Sequence, residues 1–193
     1  TMVHSLTQSR RKLLSWISER IKNLNQGIGK APSKKLEGLR RKSLFMLTAL
    51  KTLETNDAKR VVQFRESFLA WSQEYKKVYG TLAPALIDIE TLLNVFPGLV
   101  IPLELRESSD LIMDAAQFKA ITPIAEMIRQ LKVLSGDENP RWYVRGLIIS
   151  MCSTMAHIEA GLKLVLHYFK EPRLPVIPLF EQESALQLSA GLV

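Results

Sequence analysis

Residues 34–80 read KKLEGLRRKSLFMLTALKTLETNDAKRVVQFRESFLAWSQEYKKVYG, and two apolar seams run through them. Leu36, Leu39, Ser43, Met46, Leu50 and Leu53 recur at steps of 3-4-3-4-3, and Val61, Phe64, Phe68, Trp71, Tyr75 and Val78 repeat the same steps. Such spacing puts each set on one stripe of an α-helix. Asn56 is placed to cap the second helix and Gly80 to end it. Two such helices with a short connection imply an antiparallel helical hairpin. Around that hairpin the chain reads as all-α, a bundle of six or seven helices.

Toward the N-terminus, Leu14, Ile17, Ile21 and Leu24 recur at helical steps, with Leu13 and Trp16 beside them. They predict a helix from after Ser5 to about Leu24. Gln26 to Pro32 reads as a loop on its glycines and proline, and Ser33 as the cap of a helix over 34–54. Toward the C-terminus, Pro84 opens a helix lined by Leu86, Ile89, Leu93 and Phe96, which stops before Pro97-Gly98. Leu99 to Leu105 is an apolar connector, broken by proline and too short for a strand.

Ser108 or Ser109 caps the next helix, with Asp110 in its first turn. Pro123 either kinks that helix or starts another one capped by Thr122, marked by Ile124, Met127, Leu131 and Leu134 and ended by Gly136. Asn139-Pro140 begins a helix to Phe169 that is apolar on nearly every face between Val144 and Ile158, as a central buried helix is. Pro172, Pro175 and Pro178 stand three apart, the period of polyproline II, so all three fall on one edge. With Leu174, Val176, Ile177 and Phe180 the strap is too apolar to stay free in water. It is expected to pack on its own bundle or on a second copy. The expected division is a helical domain at 1–169 and an extended strap and tail at 170–193.

The 193 residues carry 26 Lys+Arg and 19 Asp+Glu, a net of +7, and 47% hydrophobic residues. This is a globular composition, and no uncharged apolar run is long enough for a membrane helix. The charge is uneven. Residues 1–60 hold 14 Lys+Arg against 4 Asp+Glu, a net of +10, and the other 133 hold 12 against 15, a net of −3. Arg10-Arg11-Lys12, Lys34-Lys35 and Arg40-Arg41-Lys42 form three basic clusters on or beside two helices. Phosphates favour such density because each contact releases condensed counterions.

Other chemistry fits poorly. One cysteine and three histidines leave no cysteine-rich metal site, no intramolecular disulfide and no implied cofactor. One unpaired thiol and no apolar leader stretch point to a reducing intracellular compartment, cytoplasm or nucleus. Gly27-Ile-Gly29-Lys30 lacks the upstream glycine and strand of a phosphate loop. Asp110 and Asp114 share a helix face and read as a solvated acidic patch. Cys152 and His157, five apart on the expected long helix, point about 140° apart and cannot pair. Glu159 and Lys163 are spaced for an ion pair. Ser43 follows a basic run, as kinase sites do, but falls on the apolar seam.

The sequence therefore describes a non-enzymatic, self-associating helical protein. Its basic N-terminal face, Arg10, Arg11, Lys12, Lys34, Lys35, Arg40, Arg41 and Lys42, would hold RNA or DNA through phosphates. The strap, Pro172, Pro175, Pro178 and Phe180, would make protein contacts. The alternatives are an adaptor for an acidic protein and a peripheral binder of anionic membranes.

Overall fold

The computed structural model describes residues 1–28, 33–53, 58–181 and 183–188. Gly29 to Pro32, with Gly29 and Lys30 of the rejected phosphate-loop look-alike, and the expected cap Asn56 lie outside the described residues. The chain is mostly helical and carries a small parallel sheet. It divides into two compact units, one reaching to Ile101 and one starting at Pro102. The contacts thus part near residue 101 and not at the expected 169/170 boundary.

The first unit is helical. It contains α1 (Met2–Ile28), α2 (Lys34–Thr52), α3 (Ala58–Tyr79) and α4 (Pro84–Val95). The hairpin is α2 and α3, and both seams face its core. Leu39, Ser43, Met46 and Leu50 are buried on α2, and Val61, Phe64, Phe68 and Trp71 on α3. An aromatic ladder runs down α3: Phe68 and Trp71 meet edge-on at 5.9 Å, and so do Trp71 and Tyr75 at 6.4 Å. The Trp71 indole N–H donates to the Leu39 carbonyl at 3.1 Å and so ties α3 to α2. Ser43 ties α2 to α1 by donating to the Asn25 side chain at 2.9 Å. Its hydroxyl is buried, which suits a structural serine better than a modified one. Leu86, Ile89 and Leu93 of α4 join the same core as Ile17 and Ile21 of α1. Helix α1 is longer than its expected limits of Ser5 and Leu24, since the loop glycines do not break it before Ile28.

The second unit is α/β, and here the all-α expectation is corrected. Strand β1 (Leu103–Ser108) is followed by α5 (Ser109–Ala115) and α6 (Pro123–Ser135). A single 3-10 turn at Pro140–Trp142 leads into β2 (Val144–Ser150), α7 (Met155–Phe169), β3 (Val176–Pro178) and α8 (Glu183–Leu188). The sheet order is β1-β2-β3 and both pairs are parallel. Leu105, Arg106 and Glu107 align with Leu147, Ile148 and Ile149, after a register shift between Leu103 and Leu105.

The expected helix over 140–169 is a turn, a strand and a helix. A central strand of a parallel sheet is covered on both faces, so it reads as an unbroken apolar run, as a buried helix does. In β2 only Arg145 is exposed and Gly146 to Ile149 are all buried. The connector expected at Leu99 to Leu105 likewise ends in a strand, because its edge position tolerates Glu104 and Arg106 facing solvent. The strap is not polyproline II. Val176, Ile177 and Pro178 pair with Leu147, Ile148 and Ile149 of the same chain, and Leu147 N–H donates to the Pro175 carbonyl at 2.8 Å. Pro178 takes part without an N–H because β3 is an edge strand.

Helix α7 lies close on this sheet. A Cβ at Gly161 would stand 2.7 Å from Ile149 Cδ1 and 2.9 Å from Val176 Cγ1. Pro123 starts a helix, as one reading of the sequence had it, and the Thr122 hydroxyl accepts the Ala125 N–H at 3.3 Å.

A candidate basic interface

The first unit holds 17 Lys+Arg and 8 Asp+Glu, a net of +9, while the second holds 9 and 11, a net of −2. The charge asymmetry seen in the sequence therefore follows the division of the fold. What matters for function is where the cations of the first unit stand.

Arg10 is not on the surface, which corrects its expected role in a basic face. It is 2% exposed, and its guanidinium donates to the Gly98 carbonyl at 2.8 Å. Leu6, Arg10, Ile17, Ile21 and Ile28 are all buried on α1, and their steps of 4, 7, 4 and 7 place them on one stripe. Three successive cations step around a helix at about 100° each, so a run of three reaches into the apolar stripe. Beside Arg10, the Ser9 hydroxyl accepts the Ile101 N–H at 3.2 Å. Both bonds fix the segment after α4 onto α1.

The other seven expected residues, Arg11, Lys12, Lys34, Lys35, Arg40, Arg41 and Lys42, are exposed. Lys42 is held by Glu74 of α3 at 2.6 Å. Among the described residues, no carboxylate lies within 4.0 Å of the other six. They do not form one patch. With Leu39, Met46 and Leu50 facing the core, Lys34 and Arg41 fall on the opposite side of α2, and Lys35 and Lys42 turn toward α3. Arg40 turns toward the flank that carries Ser43 and its bond to α1. On α1, Lys12 sits away from this flank and Arg11 beside it.

The seam between α1 and α2 gathers two cations that the sequence reading missed. Leu14, Ser15 and Ser18 of α1 and Leu50 and Lys51 of α2 line a shallow cleft of about 150 Å³ there. Lys22 is eleven residues after Arg11, and Lys51 eleven after Arg40. Eleven residues are about three turns, so each pair shares a face some 16 Å long. Arg11, Lys22, Arg40 and Lys51 are all exposed and border the outer side of this seam, with Lys34 and Arg41 beyond it on α2. The signal was available: the partner of a surface cation recurs at i+11, not beside it in a run.

Trp16 does not serve this face as a stacking platform. The Arg20 guanidinium covers its ring at 3.3 Å, and Arg20 also lies 3.6 Å from Asp88 of α4.

The second unit offers a polar edge where its strands end. The C-terminal edge of a parallel sheet is the usual ligand position in α/β folds. Ser109 donates to the Met151 carbonyl at 3.1 Å, Ser150 to the Glu107 carbonyl at 3.1 Å, and Glu181 accepts the Met151 N–H at 3.1 Å. Cys152 follows β2 in a loop and is not on a helix, contrary to expectation. Burial pushes its thiol pKa up, so the thiol stays protonated and is a poor nucleophile. His157 Nδ1 accepts the Ser153 N–H at 3.2 Å. Asp110 and Asp114 are exposed on α5. Glu159 and Lys163 form no ion pair; the Lys163 ammonium stands 5.4 Å over the Phe118 ring instead. Among the described residues, no three of His, Cys, Asp and Glu come together as a metal-binding group. No helix among them is long and apolar enough to cross a membrane.

Comparison with protein-family models, curated proteins and solved structures finds no match for this chain.

Proposed function

We propose that this protein is a non-enzymatic nucleic-acid-binding protein, and that the outer face of the α1/α2 seam holds the phosphate backbone. The observation that carries the reading is a set of exposed cations, Arg11, Lys22, Arg40 and Lys51, with no carboxylate within 4.0 Å among the described residues. A cation already paired must give up its partner before it meets a phosphate, whereas these four meet it directly. Helix α2 extends the face through Lys34 and Arg41. The contacts would be to phosphates and not to base edges, so binding is weak in sequence preference and steep in salt.

Fluorescence anisotropy with a labelled single-stranded RNA and a labelled DNA duplex, at low and at physiological salt, tests the reading. The wild-type chain is expected to bind at low salt and to weaken steeply as salt rises. The triple variant Lys22→Glu, Arg40→Glu, Lys51→Glu should lose at least about tenfold in affinity and flatten the salt slope by about 3. Lys35→Glu, on the opposite flank of α2, should change affinity by less than about threefold. Binding that survives the triple reversal in a folded chain removes this face from the reading.

A further inference from the structure

The sheet of the second unit ends in two edge strands, and the chain treats them differently. On β3 the Pro175 carbonyl and the Leu179 N–H bond to β2. Backbone direction alternates along a strand, so Val176 and Pro178 turn outward, and Pro178 has no N–H to offer there. That edge is blunt.

The edge of β1 is open. Leu147 and Ile149 bond toward β3, which leaves Ile148 and Ser150 to bond toward β1. Leu105 aligns with Leu147 and Glu107 with Ile149, so Leu105 and Glu107 turn their backbone groups to β2. Glu104 and Arg106, between and beside them, turn theirs away from the sheet. Among the described residues, nothing bonds these two N–H and two C=O groups. The next outward residue is closed off, because the Ser108 N–H donates to the Glu107 carboxylate at 3.0 Å. Glu104 and Arg106 are both exposed.

Two outward residues of opposite charge, two positions apart, fit a second copy of the same strand. Copies related by a two-fold axis across this edge run antiparallel, and they bond only where an outward residue faces an outward one. A register centred on Glu104 or on Arg106 sets that charge against itself. A register centred on Leu105 sets Glu104 opposite Arg106 of the second copy, twice, and each pair exchanges two backbone hydrogen bonds. Opposite charges facing each other across a strand pair attract. Backbone direction and charge therefore select the same register. Glu104 has no cation within 4.0 Å among the described residues. Arg106 meets Glu181 at 2.6 Å through Nη2 and keeps Nε and Nη1 for a second carboxylate.

We infer that β1 is a self-pairing edge, through which two copies of this chain join their sheets into one. The pairing uses up both open edges, and the blunt edges at β3 stop it from growing, so the assembly closes at a dimer.

Sedimentation velocity on the full chain, cleared of nucleic acid by nuclease, tests this from about 1 to about 200 µM. The chain is expected to be monomeric at the bottom of that range and dimeric at the top. The charge variants are read together with Glu181→Gln, so that Arg106 has no rival partner in its own chain. Glu181→Gln alone should leave the dimer within about threefold. Adding Glu104→Arg, or adding Arg106→Glu, sets like charges opposite each other and should weaken the dimer at least about tenfold. Adding both restores opposite pairs and should bring it back within about threefold. Arg106→Pro removes an outward N–H without touching the bonds to β2 and should also weaken it at least about tenfold, which keeps the test sharp if a charge variant does not fold. Circular dichroism checks the fold of each variant. A chain still monomeric at the top of the range, a dimer that no variant weakens, a folded double exchange that does not recover, or growth past the dimer would overturn the inference.

Discussion

The two halves of this chain bury their cores by opposite routes. The first unit sets helix against helix, each with one apolar stripe, and leaves the other faces to solvent and charge. The second covers a central strand on both sides, so its apolar residues are consecutive from Gly146 to Ile149. The first arrangement leaves grooves and flanks between helices, and the candidate basic interface lies there. The second leaves its polar groups at the ends of strands, where Ser109, Ser150 and Glu181 already bond to the backbone.

The largest effect should come from the tie between helices. Trp71 is 1% exposed and donates to Leu39, so Trp71→Ala should cost about 3–5 kcal/mol. Urea unfolding followed by circular dichroism measures it. If the two units melt apart, the loss should fall on one of two transitions; a single shifted transition would show that they unfold together.

Arg10 sharpens the contrast between a buried and a surface cation. Arg10→Ala leaves the buried Gly98 carbonyl without this donor, and about 1–3 kcal/mol of stability should go. Arg11→Ala, one residue on, should cost less than about 0.5 kcal/mol and weaken nucleic-acid binding instead. Reversal of the two outcomes would break the assignment of Arg10 to the core.

In the second unit the matching probe is a glycine. Gly161→Val drives a side chain into Ile149 and Val176, both within 3 Å of the new Cβ. Overpacking there should cost about 1–3 kcal/mol in the same unfolding experiment. An effect no larger than that of Gly38→Ala, where a Cβ meets nothing within 4 Å, would show that α7 does not lie tightly on the sheet.

The smallest expected effect is a pH dependence. Hydrogen bonds from Arg129 and Gln130 hold the Glu126 carboxyl pKa down at about 2, against an ordinary 4.5. A depressed carboxylate stabilises the fold above its unfolded pKa, and that stability is lost as pH falls from about 4.5 toward 2. Glu126→Gln should flatten stability in that window, its small cost falling at neutral pH and vanishing as pH approaches about 2. The group is exposed, so solvent screening keeps the effect small.

The sequence revealed the helices of the first unit and concealed the sheet of the second, and both results follow from the same rule. The 3-4-3-4-3 steps of Val61 to Val78 have one helical solution, and burial of Val61, Phe64, Phe68 and Trp71 agrees with it. Val144 to Ile149 has no period at all, because both faces of β2 are covered. Two local signs favoured a strand. The run from Gly146 to Ile149 is short and β-branched at its end, and Cys152, Ser153 and Thr154 follow β2 as a loop before a fresh amphipathic stretch. The strap was legible as apolar and in need of a partner, but the partner was hidden within the misread segment. For the basic face, exposure was legible for Arg11, Lys34, Lys35, Arg40 and Arg41, while Lys22 and Lys51 needed the helical step between cations and not their neighbourhood in the chain.

The pairing of β1 with β2 has a consequence in time. Leu103 meets Val144 across some 40 intervening residues, and a parallel pair has no tight turn to bring it together. The helices α5 and α6 lie inside that span. The α2/α3 hairpin closes over a far shorter connection. Contacts distant in sequence form slowly, so refolding should show fast recovery of helical signal in the first half and a slower phase as the sheet registers. Until it does, the apolar run of β2 and the edge of β1 are open to other chains, and the strap with Pro178 covers only the other edge of β2.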